Sequence, residues 1–353
     1  MKTSKFFLAC VMLVLTLPVS SSSQKKMEVS MAYRPRAFET LVKHIDQISI
    51  VSPETWVDEN GIDTTRIPPE VLKLAKEHNV RVMPQIKNRG FLQPVVHRIL
   101  TDREVRGRTV KVMLDLCKQY NLWGMQVDFE NVHITDKDAL TRFYREAAAA
   151  LHKDGYKISI AAVHRAEESA GPNSYTQWMM ENWRGAYDLK ALGEIGDYIK
   201  IMSYAQHTRR TTPGPSQGLP WVEQVVQYFM KYVPPEKLSL GITTSGSHYF
   251  TEADTAKYYL NARSLSGGIS LKAVDSLIKE YNGDPLKWDD KQKVLYGYIE
   301  RGGVFEWFFI DNDVRSFDAK VDLVKKYKLR GINNWFSAQD DPRIWDSIRN
   351  FSW

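Results

Sequence analysis

The chain has 353 residues, 43% of them apolar and 25% charged, and a net charge of +6 from 48 basic and 42 acidic side chains. That length suffices for one large α/β barrel or for two domains. The basic residues are scattered, with no long run and no basic helix, so nucleic-acid binding has little support and weak attraction to an anionic polymer is all the charge allows.

The first residues carry a basic start (Lys2, Lys5), an apolar run from Phe6 to about Val19 and a short polar tail, Ser20 to Ser23. This pattern predicts a cleaved secretory signal over residues 1–23 and a protein that is secreted, whether periplasmic or extracellular. The apolar run is short for a membrane span and Pro18 interrupts its end, so no stable membrane insertion is expected. Cleavage removes Cys10 and leaves Cys117 as the sole cysteine, so no intramolecular disulfide can form. Cys117 shares the apolar side of a predicted helix with Val110, Met113 and Leu114, which favours a buried thiol over a nucleophile.

Eight short apolar or alternating runs then recur: Glu28 to Tyr33, Gln47 to Pro53, Arg81 to Lys87, Gly124 to Glu130, Lys157 to His164, Tyr198 to Tyr204, Leu238 to Thr244 and Gly331 to Ser337. Helical patterns separate most of them, among them Pro68 to Glu77, Glu104 to Tyr120, Asp138 to Lys153, Trp221 to Tyr232 and Asp318 to Lys328. Strands alternating with helices indicate parallel βαβ units, and eight of them predict a closed (β/α)8 TIM barrel over residues 24–353 with its site at the C-terminal strand ends. The rhythm breaks before the eighth strand. Helix-like stretches (Thr251 to Asn261, Leu271 to Tyr281) and a hairpin-like pair around Gly302-Gly303 predict a small α+β insertion at about 246–312, one wall of a cleft.

The fourth strand carries the most chemistry. Side chains alternate along a strand, so Gln126, Asp128 and Glu130 share one face while Met125, Val127 and Phe129 share the other. Two carboxyls that close cannot both ionise comfortably in a low-dielectric site, so one becomes a candidate general acid. A solvated strand face, or a buried acid tied to a Lys or Arg, gives the same pattern, and spacing leaves these readings open. If the strand ends converge, the carboxyl pair meets Tyr204 and Trp335, and a phenol, an indole and two carboxyls suit a sugar ring. Gln126, Met202, Gln206, Trp56 and Trp335 are the expected substrate-binding positions; Glu54, Glu306 and Asp311 are cleft candidates by position alone. His164, His207 and His248 read as rim hydrogen-bonders. No paired-His spacing points to a metal, no cofactor is implied, and Ser245-Gly246-Ser247 lacks the frame of a nucleophile elbow.

Together these residues resemble glycoside hydrolase family 18, the chitinase-like hydrolases. The family's strand-four signature, Asp-Gly-x-Asp-x-Asp-x-Glu, is matched at Gly124, Asp128 and Glu130. Met202-Ser203-Tyr204-Ala205 is similar to its Met-x-Tyr-Asp, and Gly331 to Trp335 followed by Gln339-Asp340-Asp341 is similar to its strand-eight pattern. Val51 to Trp56, Ala75 to Val80 and Asp128 to Val132 look most like the spore-germination and chitobiase-like branch. Trp123, Gln126 and Ala205 replace three family aspartates, and the Ser-x-Gly-Gly segment is absent around Arg81 to Arg89.

The resemblance implies a retaining glycosidase acting by substrate-assisted catalysis on an N-acetylglucosamine-containing glycan, either chitin oligosaccharides or peptidoglycan. It makes Glu130 the acid and then the base, Asp128 the group that orients the substrate's acetamide, Tyr204 its hydrogen-bond partner and Trp335 the floor beneath the ring. The expected partner is the glycan, and the expected assembly a monomer. The rival expectation is a lectin-like chain of the same fold that binds without cleaving.

Overall fold

The computed structural model describes residues 27–63, 67–250, 264–265, 269–335 and 341–351. The expected signal at 1–23, the helix-like stretch Thr251 to Asn261 and the Gln339-Asp340 pair lie outside them.

Eight strands close into a barrel: β1 (Glu28–Tyr33), β2 (Ile50–Asp58), β3 (Gln85–Asn88), β4 (Gly124–Asp128), β5 (Lys157–Val163), β6 (Tyr198–Met202), β7 (Leu238–Thr243) and β8 (Gly331–Trp335). Each pairs in parallel with its successor. The ring shuts where β8 meets β1, Gly331 opposite Glu28. Closure leaves no open edge, and every strand has the wall of helices that a parallel sheet requires.

The helices form where the apolar residues recur every third or fourth position. Lys137–Lys153 buries Leu140, Phe143, Tyr144, Ala147 and Leu151 against the barrel, the stripe expected of a helix with one wet face. Arg103–Tyr120 begins where the Asp102 carboxylate accepts the Glu104 and Val105 N–H groups and ends at Asn121 with φ of 50°, a side-chain cap at one end and a left-handed cap at the other. Cys117 is buried on that helix, and burial pushes its thiol up to about 12, so it is an inert core group.

Two strands differ from expectation. β2 was expected to stop at Pro53, since proline lacks an N–H for the ladder. It runs on to Asp58, because Pro53 pairs with Tyr33, the last residue of β1, and the strand then turns to β3 through Glu54↔Gln85. The third strand divides into Arg81–Val82 and β3, with Pro84 in the gap, its carbonyl accepting the Gln126 N–H at 2.9 Å. The longer β2 places Glu54 and Trp56 at the end of the barrel that holds Asp128.

Between β7 and β8 stands the insertion, a five-stranded antiparallel sheet (Ser247–Phe250, Ser264–Leu265, Lys287–Asp289, Val294–Arg301, Val304–Ile310). The helix Leu271–Glu280 covers it, Val274 packing with Ile299, Phe308 and Ile310. Gly302 and Gly303 turn the hairpin at φ of 60° and 78°, values that glycine reaches without strain.

Candidate active site

The alternation expected on β4 is realised. Met125, Val127 and Phe129 join the apolar core, while Gln126 and Asp128 face the barrel interior, both fully buried. Below them the interior is polar. The Gln126 amide donates to Gln85 Oε1 at 3.2 Å, and Lys200 on β6 donates to the hydroxyls of Ser30 at 2.8 Å and Ser52 at 3.3 Å. Burial pushes the Lys200 ammonium down to about 7.

Glu130 lies two residues past Asp128, just beyond the strand, where Asn88 takes over the ladder. The Asn88 carboxamide donates to the Glu130 carbonyl at 3.0 Å and accepts the Glu130 N–H at 2.9 Å. The Tyr187 hydroxyl donates to the Phe129 carbonyl at 2.6 Å, and the Asn131 amide donates to the Phe91 carbonyl at 2.8 Å. The backbone that carries Glu130 is therefore held from three sides, although it belongs to no regular element.

Charged groups surround the pair. Lys87, opposite Asp128 in the β3–β4 register, places Nζ 3.9 Å from Asp128 Oδ2 and 3.0 Å from Glu54 Oε1. Arg34 donates to the other Glu54 oxygen at 2.9 Å. Neither Asp128 oxygen has a hydrogen-bond partner among the described residues. Burial holds the Asp128 carboxyl above the usual carboxylate range; Lys87 opposes that rise most strongly, Glu54 adds to it, and Lys200 and Arg34 oppose it in turn. Burial, and after it the neighbouring Asp128, push the Glu130 carboxyl up to about 8. A buried acid that holds its proton at neutral pH beside a second carboxyl is the arrangement a general acid needs.

Glu130 opens onto a cavity of about 300 Å³ that is also lined by His164, Tyr175, Trp178, Met202 and Tyr204. Aromatic and thioether walls around one acid suit the apolar faces of a sugar. Tyr204 stands over β7 at Gly241, where a Cβ would fall 2.2 Å from the Ile201 carbonyl oxygen and 3.3 Å from the Tyr204 ring. Ala205, also on the wall, holds a left-handed φ of 65°, a strained conformation for alanine. Burial and Arg184 push His164 down to about 3, which leaves its neutral ring facing the Arg184 guanidinium at 2.7 Å.

The remaining expected positions disperse. Trp56 is half-buried, edge-on to Phe91 with ring centres 5.5 Å apart. Gln206 is not on the cavity wall; its amide oxygen accepts the Gly218 N–H at 2.8 Å and holds the loop after β6. The backbone of Trp335 pairs with Thr243, and its indole lies outside the described residues. Glu306 and Asp311 are struts of the insertion: Glu306 meets His248 at 2.8 Å and Arg301 at 2.6 Å, and Asp311 accepts the Ser216 and Gln217 N–H groups. His207 accordingly lies in that loop, its ring against the Thr212 carbonyl. Sequence reasoning did not single out Lys87, Lys200 or Asn88. Lys87 and Lys200 carried a signal, a lysine inside an apolar strand pattern, while Asn88 had none.

The sequence profile of the family described as Glycosyl hydrolases family 18 matches residues 24–340. The chain is similar to the cortical fragment-lytic enzyme of Bacillus subtilis, 26% identical over 75% of this chain and 58% of that enzyme, so it spans less than two thirds of that relative. Its fold is similar to the crystal structure of the spore cortex-lytic enzyme SleL of Bacillus cereus, with a TM-score of 0.78 and 20% identity over 94% of this chain and 75% of that one. It is also similar to a glycoside hydrolase family 18 N-acetylglucosaminidase from Paenibacillus barengoltzii, with a TM-score of 0.70 and 18% identity over 92% and 99% of the two chains.

Proposed function

The chain belongs to the glycosyl hydrolases family 18, and from that membership we propose that it is an exported, retaining glycosidase that cleaves β-linked N-acetylglucosamine-containing glycans, chitin oligosaccharides or peptidoglycan. The observation that carries this reading is the carboxyl pair itself. Glu130 is pushed up to about 8 beside Asp128, whose two oxygens accept no hydrogen bond among the described residues.

In this reaction Glu130 protonates the glycosidic oxygen as the bond to the anomeric carbon breaks. The substrate's own 2-acetamido oxygen closes on that carbon from the opposite face, which separates the family from two-carboxylate glycosidases. The Asp128 carboxylate accepts the acetamide N–H and stabilises the positive charge that spreads over the closing ring, a charge that exists only in the transition state and intermediate. Tyr204 donates to the acetamide oxygen. Glu130, now ionised, takes a proton from the water that opens the ring, and the configuration at the anomeric carbon is retained. Export is supported by the basic-apolar-polar pattern of residues 1–23. The similarity to cortex-lytic enzymes supports peptidoglycan as the polymer.

The test is release of reducing ends from chitin oligosaccharides and from purified peptidoglycan by the protein and by Glu130→Gln. Turnover of one polymer, lost by about 10²–10⁴-fold in the variant, with the β-anomer as first product by proton NMR, is the expected result. Equal glycan binding by both proteins without turnover would establish the lectin instead.

A further inference from the structure

Two carboxyls stand two residues apart, Asp128 ending β4 and Glu130 just beyond it, and the proposed chemistry requires that the inner be charged and the outer protonated. The reverse arrangement would leave the acetamide without an acceptor and the glycosidic oxygen without an acid. Something must break the symmetry between them, and Gln126, the remaining polar group on the Asp128 face of β4, is neutral and turned toward Gln85.

We propose that Lys87 sets this assignment: its ammonium, clamped between Glu54 and Asp128 by the β3–β4 register, holds Asp128 as the carboxylate and so leaves the proton on Glu130. Lys87 is 2% exposed. Its Nζ lies 5.7 Å from the ring centres of Trp56 and of Phe91, which shut out water and favour a cation over their faces. At 3.9 Å from Oδ2 it acts on Asp128 by charge, leaving that oxygen able to accept a substrate N–H. Glu54, itself anchored by Arg34, fixes the ammonium in place and tempers its pull. Lys200, pushed down to about 7 by burial and steadied by Ser30 and Ser52, adds a second positive charge from beneath only below that pH. Glu130 and Tyr187 are further titratable groups that interact with Asp128. Lys87 is thus a positioning residue acting on a charge state, and it rests on the roles proposed above for Asp128 and Glu130.

The experiment is a carboxyl carbon-13 NMR titration of protein labelled at Asp and Glu, with Asp128→Asn and Glu130→Gln assigning the two signals, run beside pH–rate profiles on the cleaved glycan. Lys87→Met should move the Asp128 titration, and the acid limb of kcat/KM with it, upward by about 1–2 pH units, the scale of one opposite charge at this range. Lys87→Arg should restore both to within about half a unit. Glu54→Gln should move them the other way, downward, because it removes an opposing anion. An Asp128 titration that stays put in folded Lys87→Met overturns the proposal. Should that variant fail to fold, Glu54→Gln decides alone: a fall supports the proposal and an unchanged or raised value overturns it. Wild-type turnover in Glu130→Gln would sink the proposed mechanism, while the NMR titration still decides Lys87.

Discussion

Glu306 in the insertion and Asp128 in the barrel are both buried carboxylates facing cations, and their oxygens fare differently. Glu306 gives one oxygen to His248 and the other to Arg301. Asp128 has a cation 3.9 Å away and, among the described residues, no hydrogen bond to either oxygen. A buried charge whose lone pairs are filled is a strut, because folding has replaced the lost water with fixed donors. One whose lone pairs find no donor among the described residues, next to the Glu130 that lines a cavity, costs stability and persists where those lone pairs are used. The first holds a small sheet together, and the second keeps its lone pairs for the acetamide proposed above.

That contrast is best broken at Asp128. Asp128→Asn keeps the shape and removes the charge; kcat should fall by about 10²–10³-fold, the scale of losing one preorganised electrostatic partner. Its thermal midpoint should hold or rise, because an unsatisfied buried charge has gone. A drop in midpoint without loss of turnover would place Asp128 among the struts.

Glu306→Gln should behave in the opposite way. It leaves Arg301 and His248 without their anion and should cost about 1–3 kcal/mol of unfolding free energy by denaturant titration, the usual scale for a hydrogen bond to a charged group. Turnover should stay within about twofold, since nothing in the cavity touches this cluster. Asn88→Ala comes next: the backbone of Glu130 loses both of its carboxamide contacts, and kcat should fall by roughly tenfold, with no change in the pH at which Glu130 titrates, because small misplacements of a reacting group are costly.

The last effect is on stability against pH. Glu130 holds its proton in the folded protein up to about 8 and loses it near 4.3 when unfolded. Between those values the folded state binds more protons than the unfolded one, so stability falls as pH rises through this window. Midpoints of the protein and of Glu130→Gln, compared at pH 5 and pH 8, should therefore diverge in favour of the variant at the higher pH. Parallel midpoints would mean that Glu130 titrates near its ordinary range.

Much of the candidate site was legible because it is local. Asp128 and Glu130 announce themselves by alternation on a single strand, and Tyr204 by its place at the end of another. Glu54 was noticed by position, yet its partner Lys87 was passed over, since a lysine near a strand end ordinarily snorkels to water. Only the approach of β2 and β3 turns that lysine inward. Glu306 and Asp311 were suspected of lining the cleft because they follow the hairpin in sequence; their contacts instead run within the insertion and to the loop after β6.

Periodicity, turn residues and the order of polar positions along each strand determined the closed barrel and the insertion and marked the carboxyl pair as candidates, because these depend on backbone geometry over a few residues. Which acid is charged could not be decided that way. It depends on cations forty to seventy residues away in the chain, brought within a few ångströms by barrel closure and strand register, and charge interactions act through space and burial, with no regard for sequence separation.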